Sequence, residues 1–217
     1  MPLKLVIANK AYSSWSLRAW ILLAHLKIPF EEVVIPLDLP DTRRKILKFA
    51  PSGRCPSLHD GGIHVWDTMA INEFIAEKYP GKDIWPRGKA ARADARSISA
   101  EMHSGFQSLR AHCPMNFFRA PKKLALTPAV EADVARIESA WASARKNFGG
   151  RGDFLYGKFS AADAMFAPVV NRLHVYDIKV GRATRAYMDA MMALPAWKAW
   201  EKDALAETWR IEKYDAV

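Results

Sequence analysis

The chain has 217 residues, half of them hydrophobic and a quarter charged, which is enough for two modest cores and excludes a disordered or fibrous protein. Its apolar stretches are too short to cross a bilayer, and Met1-Pro2-Leu3-Lys4 lacks the apolar region and cleavage site of a secretory leader. A cytoplasmic protein with no membrane partner is therefore expected. The net charge of +9 comes from Lys and Arg interleaved with acids, so it reads as a basic surface that attracts anionic ligands rather than as a nucleic-acid footprint.

The first third alternates strand and helix patterns. Leu3 to Ala8 is a short apolar run that suits a buried strand, and Tyr12-Ser13-Ser14 then offers turn and capping residues. Leu17, Trp20, Ile21 and Ala24 recur at helical spacing, which predicts a helix over Ser14 to Leu26. Phe30 to Leu37 is rich in Val and Ile and predicts a second strand. Asp41-Thr42 can cap a short helix carrying Ile46, Leu47 and Phe49. Asp60-Gly61-Gly62 predicts a hairpin between Ser57–His59 and Ile63–Trp66. Asp67-Thr68 opens a helix that Tyr79-Pro80-Gly81 stops. The order is βαβ, then α, then ββα.

After Pro86-Arg87-Gly88, which reads as a domain junction, the pattern is helical. One long helix is predicted from about Lys89 to Arg110, broken by His112-Cys113-Pro114. Pro128 suits the first turn of a helix to Phe148, and Ser160-Ala161-Ala162-Asp163 reads as a capping box opening another. Two more follow, around Arg182–Met192 and Ala196–Glu207. The division is therefore 1–82 for an α/β domain and 89–217 for an all-helical one.

Several of these places can carry chemistry as well as structure. Ser13 and Ser14 stand where free N–H groups and the positive end of a helix dipole favour an anion, a thiolate included. Asp67 and Thr68, at another strand-to-helix step, suit the ammonium and carboxylate of an amino-acid head group. Arg43, Arg44, Lys45, Lys48 and Arg54 include candidates for a second carboxylate. On its own, Cys55-Pro56 reads as an ordinary trans step into a strand. Met102, Phe106 and Arg110, at i, i+4, i+8 with His103 beside them, offer an apolar face ending in a cation, although core packing accounts equally for Met102 and Phe106. The two cysteines, Cys55 and Cys113, form no CxxC pair; neither a metal site nor a disulfide is expected.

Taken together and in this order, the Ser-rich turn, the Cys55-Pro56 step, the Asp67-Thr68 pair and the Ser160–Asp163 box resemble the cytosolic glutathione transferase family over nearly the whole chain. The stretch Ser13-Ser14-Trp15-Ser16-Leu17-Arg18 is most similar to the S-S-C-S-x-R turn of the zeta class, which includes maleylacetoacetate isomerases, with Trp15 where that class has cysteine. The resemblance implies a thioredoxin-like N-terminal domain plus a helical C-terminal domain, assembled as a homodimer. It implies glutathione as co-substrate, no metal, and a small apolar electrophile as second substrate, in a detoxifying conjugation. A glutathione-dependent cis–trans isomerase and a non-catalytic glutathione-binding or regulatory protein are the alternatives. It further implies that Ser13 or Ser14, with Ser14 preferred for its spacing to Arg18, hydrogen-bonds the thiol beside Trp15. Pro56 would be cis, with the Cys55 backbone pairing to the tripeptide. Asp67 and Thr68 would hold its γ-glutamyl end, and Arg54 or Arg44 its glycyl carboxylate. Met102, His103, Phe106 and Arg110 would line the second-substrate pocket.

Overall fold

The computed structural model describes residues 2–217; Met1, assigned above to the first domain, lies outside them. Strand β1 (Leu3–Ala8) lies at the centre of a four-stranded sheet. It runs parallel to β2 (Phe30–Ile35), with Leu3 opposite Phe30 and Ala8 opposite Ile35. On its other side it pairs antiparallel with β3 (Ser57–Asp60), which pairs with β4 (Ile63–Val65). The two-residue period of β1 divides its side chains. Leu3, Leu5 and Ile7 enter the main core, while Val6 joins a small core with Ile35, Ile46 and Ala50 on the opposite face.

Helix α1 (Ser14–His25) buries Leu17, Ile21 and Leu22 in the main core, and α2 (Thr42–Leu47) contributes Ile46 to the small one. Helix α3 (Thr68–Lys78) adds Ile71 and Ile75. The helical part comprises α4 (Lys89–Ser104), α5 (Gln107–His112), α6 (Pro128–Phe148), α7 (Ala161–Val175), α8 (Arg182–Ala193), α9 (Pro195–Ala206) and the short α10 (Glu212–Asp215). Helix α7 is buried on almost every side, because it packs on α1, α4 and α8 at once. Its start is tied to the segment between α3 and α4 by Ala161 N–H, which donates to Ile84 O at 2.7 Å.

Several boundaries differ from the sequence expectation for identifiable reasons. The second strand ends at Ile35, not Leu37: Pro36 has no N–H for the ladder, and Leu37 N–H donates instead to Asn9 Oδ1 at 2.8 Å. Asp41 makes no side-chain cap bond to α2 but pairs with Lys45 at 3.0 Å. Asp67 does not cap α3 through its side chain either. Thr127 does cap α6, and Pro128 is its first residue.

The largest correction concerns the long helix expected over Lys89–Arg110. It breaks after Ser104, at Gly105 and Phe106. A Cβ on Gly105 would meet Glu101 O at 2.8 Å, so the chain passes here only without a side chain. Phe106 then takes φ +58°, in the left-handed region, and α5 starts afresh at Gln107. Met102, Phe106 and Arg110 are consequently not on one helical face.

Candidate active site

Two adjoining cavities open between the first domain's loops and α4–α5. The larger, about 670 Å³, is lined by Trp15, Arg54, Cys55, Asp67, His103 and Arg110, among others. The smaller, about 360 Å³, is lined by Ser13, Ser14, Gln107, Arg110, Arg172 and Tyr214, among others. Trp15, Gln107 and Arg110 border both.

The start of α1 is built from three serines with different duties. Ser13 is the N-cap, and its Oγ accepts from Ser16 N–H at 3.4 Å. Its own hydroxyl proton is spent on Ser16 Oγ at 2.8 Å, and Ser16 Oγ accepts from Ala8 N–H at 2.9 Å. Ser14 occupies the first helical position, lines the smaller cavity, and its hydroxyl has no partner among the described residues. Of the two candidates, Ser14 is thus the one with a donor to spare.

Trp15 stands between cations. The Arg18 guanidinium lies 4.3 Å and that of Arg110 4.7 Å from its ring centre, and His103 meets its edge at 5.0 Å. Arg18 is fully buried, and none of its guanidinium nitrogens has a hydrogen-bond partner. Burial first, and then the charges of Arg172 and Arg110, push its pKa down; Asp67 opposes them. Arg172 is only 3% exposed. Its Nε donates to Cys113 O at 2.8 Å, while its Nη1 has no partner. Burial, with Arg110 adding repulsion, brings its pKa down to about 10, so it stays cationic near neutral pH. Arg110 is held by the last carbonyls of α4, donating to His103 O at 3.3 Å and Gly105 O at 3.5 Å. This concentration of positive charge favours anions.

On the other side of Trp15, the Cys55–Pro56 peptide is cis rather than the trans form that the local sequence suggests, and Trp66–Asp67 is cis as well. Asp67 Oδ2 lies 3.4 Å from His103 Nε2. Thr68 is fully buried beneath, its hydroxyl donating to Asp67 Oδ1 at 3.3 Å. The Cys55 thiol is pushed up to about 12 by burial, and Cys113 to about 11, so neither offers a thiolate. Both cysteines are free.

Of the residues singled out in the sequence, the structure brings Ser13, Ser14, Trp15, Arg54, Cys55, Pro56, Asp67, His103 and Arg110 to these cavities. Arg44 is largely exposed on α2, near Asp41, and lines neither. Met102, on the buried face of α4 before the break, and Phe106, at the break itself, are core residues. Gln107, Arg172 and Tyr214 were not foreseen. Arg172 did carry a signal: with Asn171 it is a polar interruption in the otherwise apolar stretch from Ala164 to Leu173.

Among the described residues there is no cluster of three or more His, Cys, Asp or Glu side chains that could hold a metal ion, and no helix is long and apolar enough to cross a membrane.

The fold matches that of glutathione transferases. A glutathione transferase homolog from Burkholderia, solved with bound glutathione, superposes with a TM-score of 0.71 over 95% of this chain and 99% of that one, at 20% identity. The model of the glutathione S-transferase N-terminal domain matches residues 12–78, and that of the C-terminal domain matches residues 127–203. The chain belongs to the glutathione S-transferase family. Among curated relatives it is 37% identical to dichloromethane dehalogenase of Methylorubrum extorquens over 71 residues, 31% of this chain and 25% of that one. It is 30% identical to a probable maleylacetoacetate isomerase of Caenorhabditis elegans over 97 residues, 45% of each. The matched stretches thus span less than half the length of these two relatives.

Proposed function

We propose that this chain is a glutathione transferase that adds the glutathione thiolate to a small electrophile. One observation carries this reading: the unpartnered Ser14 hydroxyl at the N-terminus of α1, lining the smaller of the two adjoining cavities. In this reading the larger cavity takes the tripeptide. Asp67 meets its α-ammonium, Arg54 its glycyl carboxylate, and the Cys55 backbone its cysteinyl unit. Thr68 steadies Asp67 from below. Ser14 Oγ–H donates to the sulfur, which with the helix dipole and the nearby guanidinium groups stabilises the thiolate; the thiol proton leaves to solvent. The sulfur lone pair then forms a bond to the electrophilic carbon, and either a leaving group departs with its electron pair or a conjugated double bond takes up the charge. Positioning across Trp15 supplies the remaining acceleration.

The enzyme is read as a cytoplasmic homodimer with a detoxifying role, its domains dividing at 1–82 and 89–217. The family membership and the resemblance support these points.

A second reading, a glutathione-dependent cis–trans isomerase, is favoured by Arg110 and by the unpartnered Nη1 of Arg172, which suit an acceptor carrying carboxylates. Trp15 in place of the zeta-class cysteine weighs against it. Replacing Arg110 by Ala should raise the isomerase KM about tenfold or more, as loss of a charged hydrogen bond does; unchanged kinetics would remove this reading.

The decisive test is calorimetric titration with reduced glutathione, followed by absorbance titration of the bound thiol. Binding with a depressed thiol pKa that Ser14→Ala abolishes is the expected result. Binding without a shift would mark a carrier or regulatory protein, and absence of binding would sink the proposal.

A further inference from the structure

We propose that Glu207 is a positioning residue that sets the Ser13–Ser14 turn from the far end of the chain. The inference rests on the reading of that turn as the place where the glutathione thiol is activated.

The turn begins where β1 ends, at Ala8, so the next residues have no ladder to hold them. All four backbone polar groups of Lys10 and Ala11 are instead taken by residues from Phe117 onward. The Glu207 carboxylate receives two of them, Lys10 N–H at 2.6 Å and Ala11 N–H at 3.0 Å. Trp200 Nε1–H donates to Lys10 O at 3.1 Å, and Phe117 N–H to Ala11 O at 3.1 Å. A carboxylate that clasps two consecutive amides fixes the orientation of both peptide planes, and charge makes such bonds strong.

The Lys10 side chain adds a second clasp. It is 4% exposed, its ammonium lying 2.6 Å from Asp203 and 2.9 Å from Glu32, within reach of the Trp20 and Trp200 rings. Burial pushes the Glu207 carboxyl above its usual range, and the two amides, with Lys10, oppose this.

Direct covalent continuity carries this geometry to the site. Ser13 N–H donates to Asn9 O at 2.9 Å, so Asn9 to Ser13 close into a loop whose middle is the clasped pair. Ser14 follows at once as the first residue of α1. A shift of Lys10 and Ala11 therefore displaces the Ser14 hydroxyl and the helix start together, and displacement on the scale of an ångström is enough to weaken activation. Glu207 touches neither cavity. Its effect on a bound thiol would thus run through the turn.

The test compares the full-length chain with its Glu207→Ala and Glu207→Gln variants, using reduced glutathione as the probe. Amide exchange over residues 9–14 is read without ligand, and the pKa of the bound thiol is read by absorbance. The expected result for Glu207→Ala is exchange of the Lys10 and Ala11 amides faster by about tenfold and a bound thiolate fraction lower by about tenfold at neutral pH. Glutathione affinity should stay within about twofold, and Glu207→Gln should fall between wild type and Ala. A folded variant with unchanged amide protection, or with an unshifted bound-thiol pKa, overturns the inference; if Glu207→Ala does not fold, Glu207→Gln decides by the same criteria. A wild-type protein that binds glutathione without shifting its thiol would instead overturn the proposed function, and unchanged protection in the variants would then overturn the anchoring of the turn independently.

Discussion

Helices α7 and α1 each bury a charge within their first two turns, and the two charges are treated in opposite ways. Asp163, in the first turn of α7, accepts from Leu155 N–H at 3.1 Å, Ser160 N–H at 2.9 Å and the Ser160 hydroxyl at 3.0 Å. Arg18, near the start of α1, is equally buried but has no hydrogen bond at all, and its nearest charged company includes two further arginines. A buried ion surrounded by its own backbone serves the fold, since it satisfies a helix end that would otherwise be orphaned. A buried ion without hydrogen bonds, held only against an aromatic ring, is a standing cost to stability, tolerable where an anion is to be bound nearby. The contrast sets a hydrogen-bonded buried charge beside one without hydrogen bonds within one core.

The largest expected effect falls on the satisfied side. Asp163→Ala should destabilise the protein by about 3 kcal/mol or more, read by urea unfolding, because three donors lose their acceptor. A loss below about 1 kcal/mol would mean that the cluster is dispensable. Burial also pushes the Asp163 carboxyl up to about 6 from 3.8. The native state then binds this proton more tightly than the unfolded chain, so this group's contribution to stability falls as pH rises through that window. Asp163→Asn should flatten this slope in melting curves taken across the same window.

On the unsatisfied side the sign reverses. Arg18→Met should raise stability by about 1–3 kcal/mol while weakening binding of an acidic acceptor, since an apolar side chain of similar length removes an unpaired buried charge. If melting shows the variant to be less stable, Arg18 is structural and the comparison breaks. The smallest effect separates the serines. Ser13→Ala should lose about 1 kcal/mol with its cap, whereas Ser14→Ala should stay within about 0.5 kcal/mol, both by denaturant titration.

How much of this was legible in the sequence depends on range. The sheet order's raw material, the α1 start and the α7 cap could be read because apolar periodicity and capping chemistry are local. Between Ser13 and Ser14 the sequence offered only the spacing to Arg18, since which hydroxyl is left free depends on Ser16 and on Ala8 across the turn. Arg44 and Arg54 look alike in sequence, yet only Arg54 reaches the cavity, because α2 carries Arg44 outward. Gln107, Arg172 and Tyr214 come from three distant segments, and nothing local announces that they converge. Glu207 was invisible for the same reason: its partners are almost two hundred positions away.

The break at Gly105 and Phe106 has a consequence for how such a cleft can change. Had α4 continued, its next turns would have followed the old axis, and Gln107 and Arg110 would have pointed elsewhere. The break lets α5 start afresh at Gln107, and both residues line the cleft while Met102 and Phe106 stay in the core. Moving that break by a residue or two would present a different set of side chains to the same opening. The lining of the cleft is thus encoded as much in where one helix stops as in what it is made of.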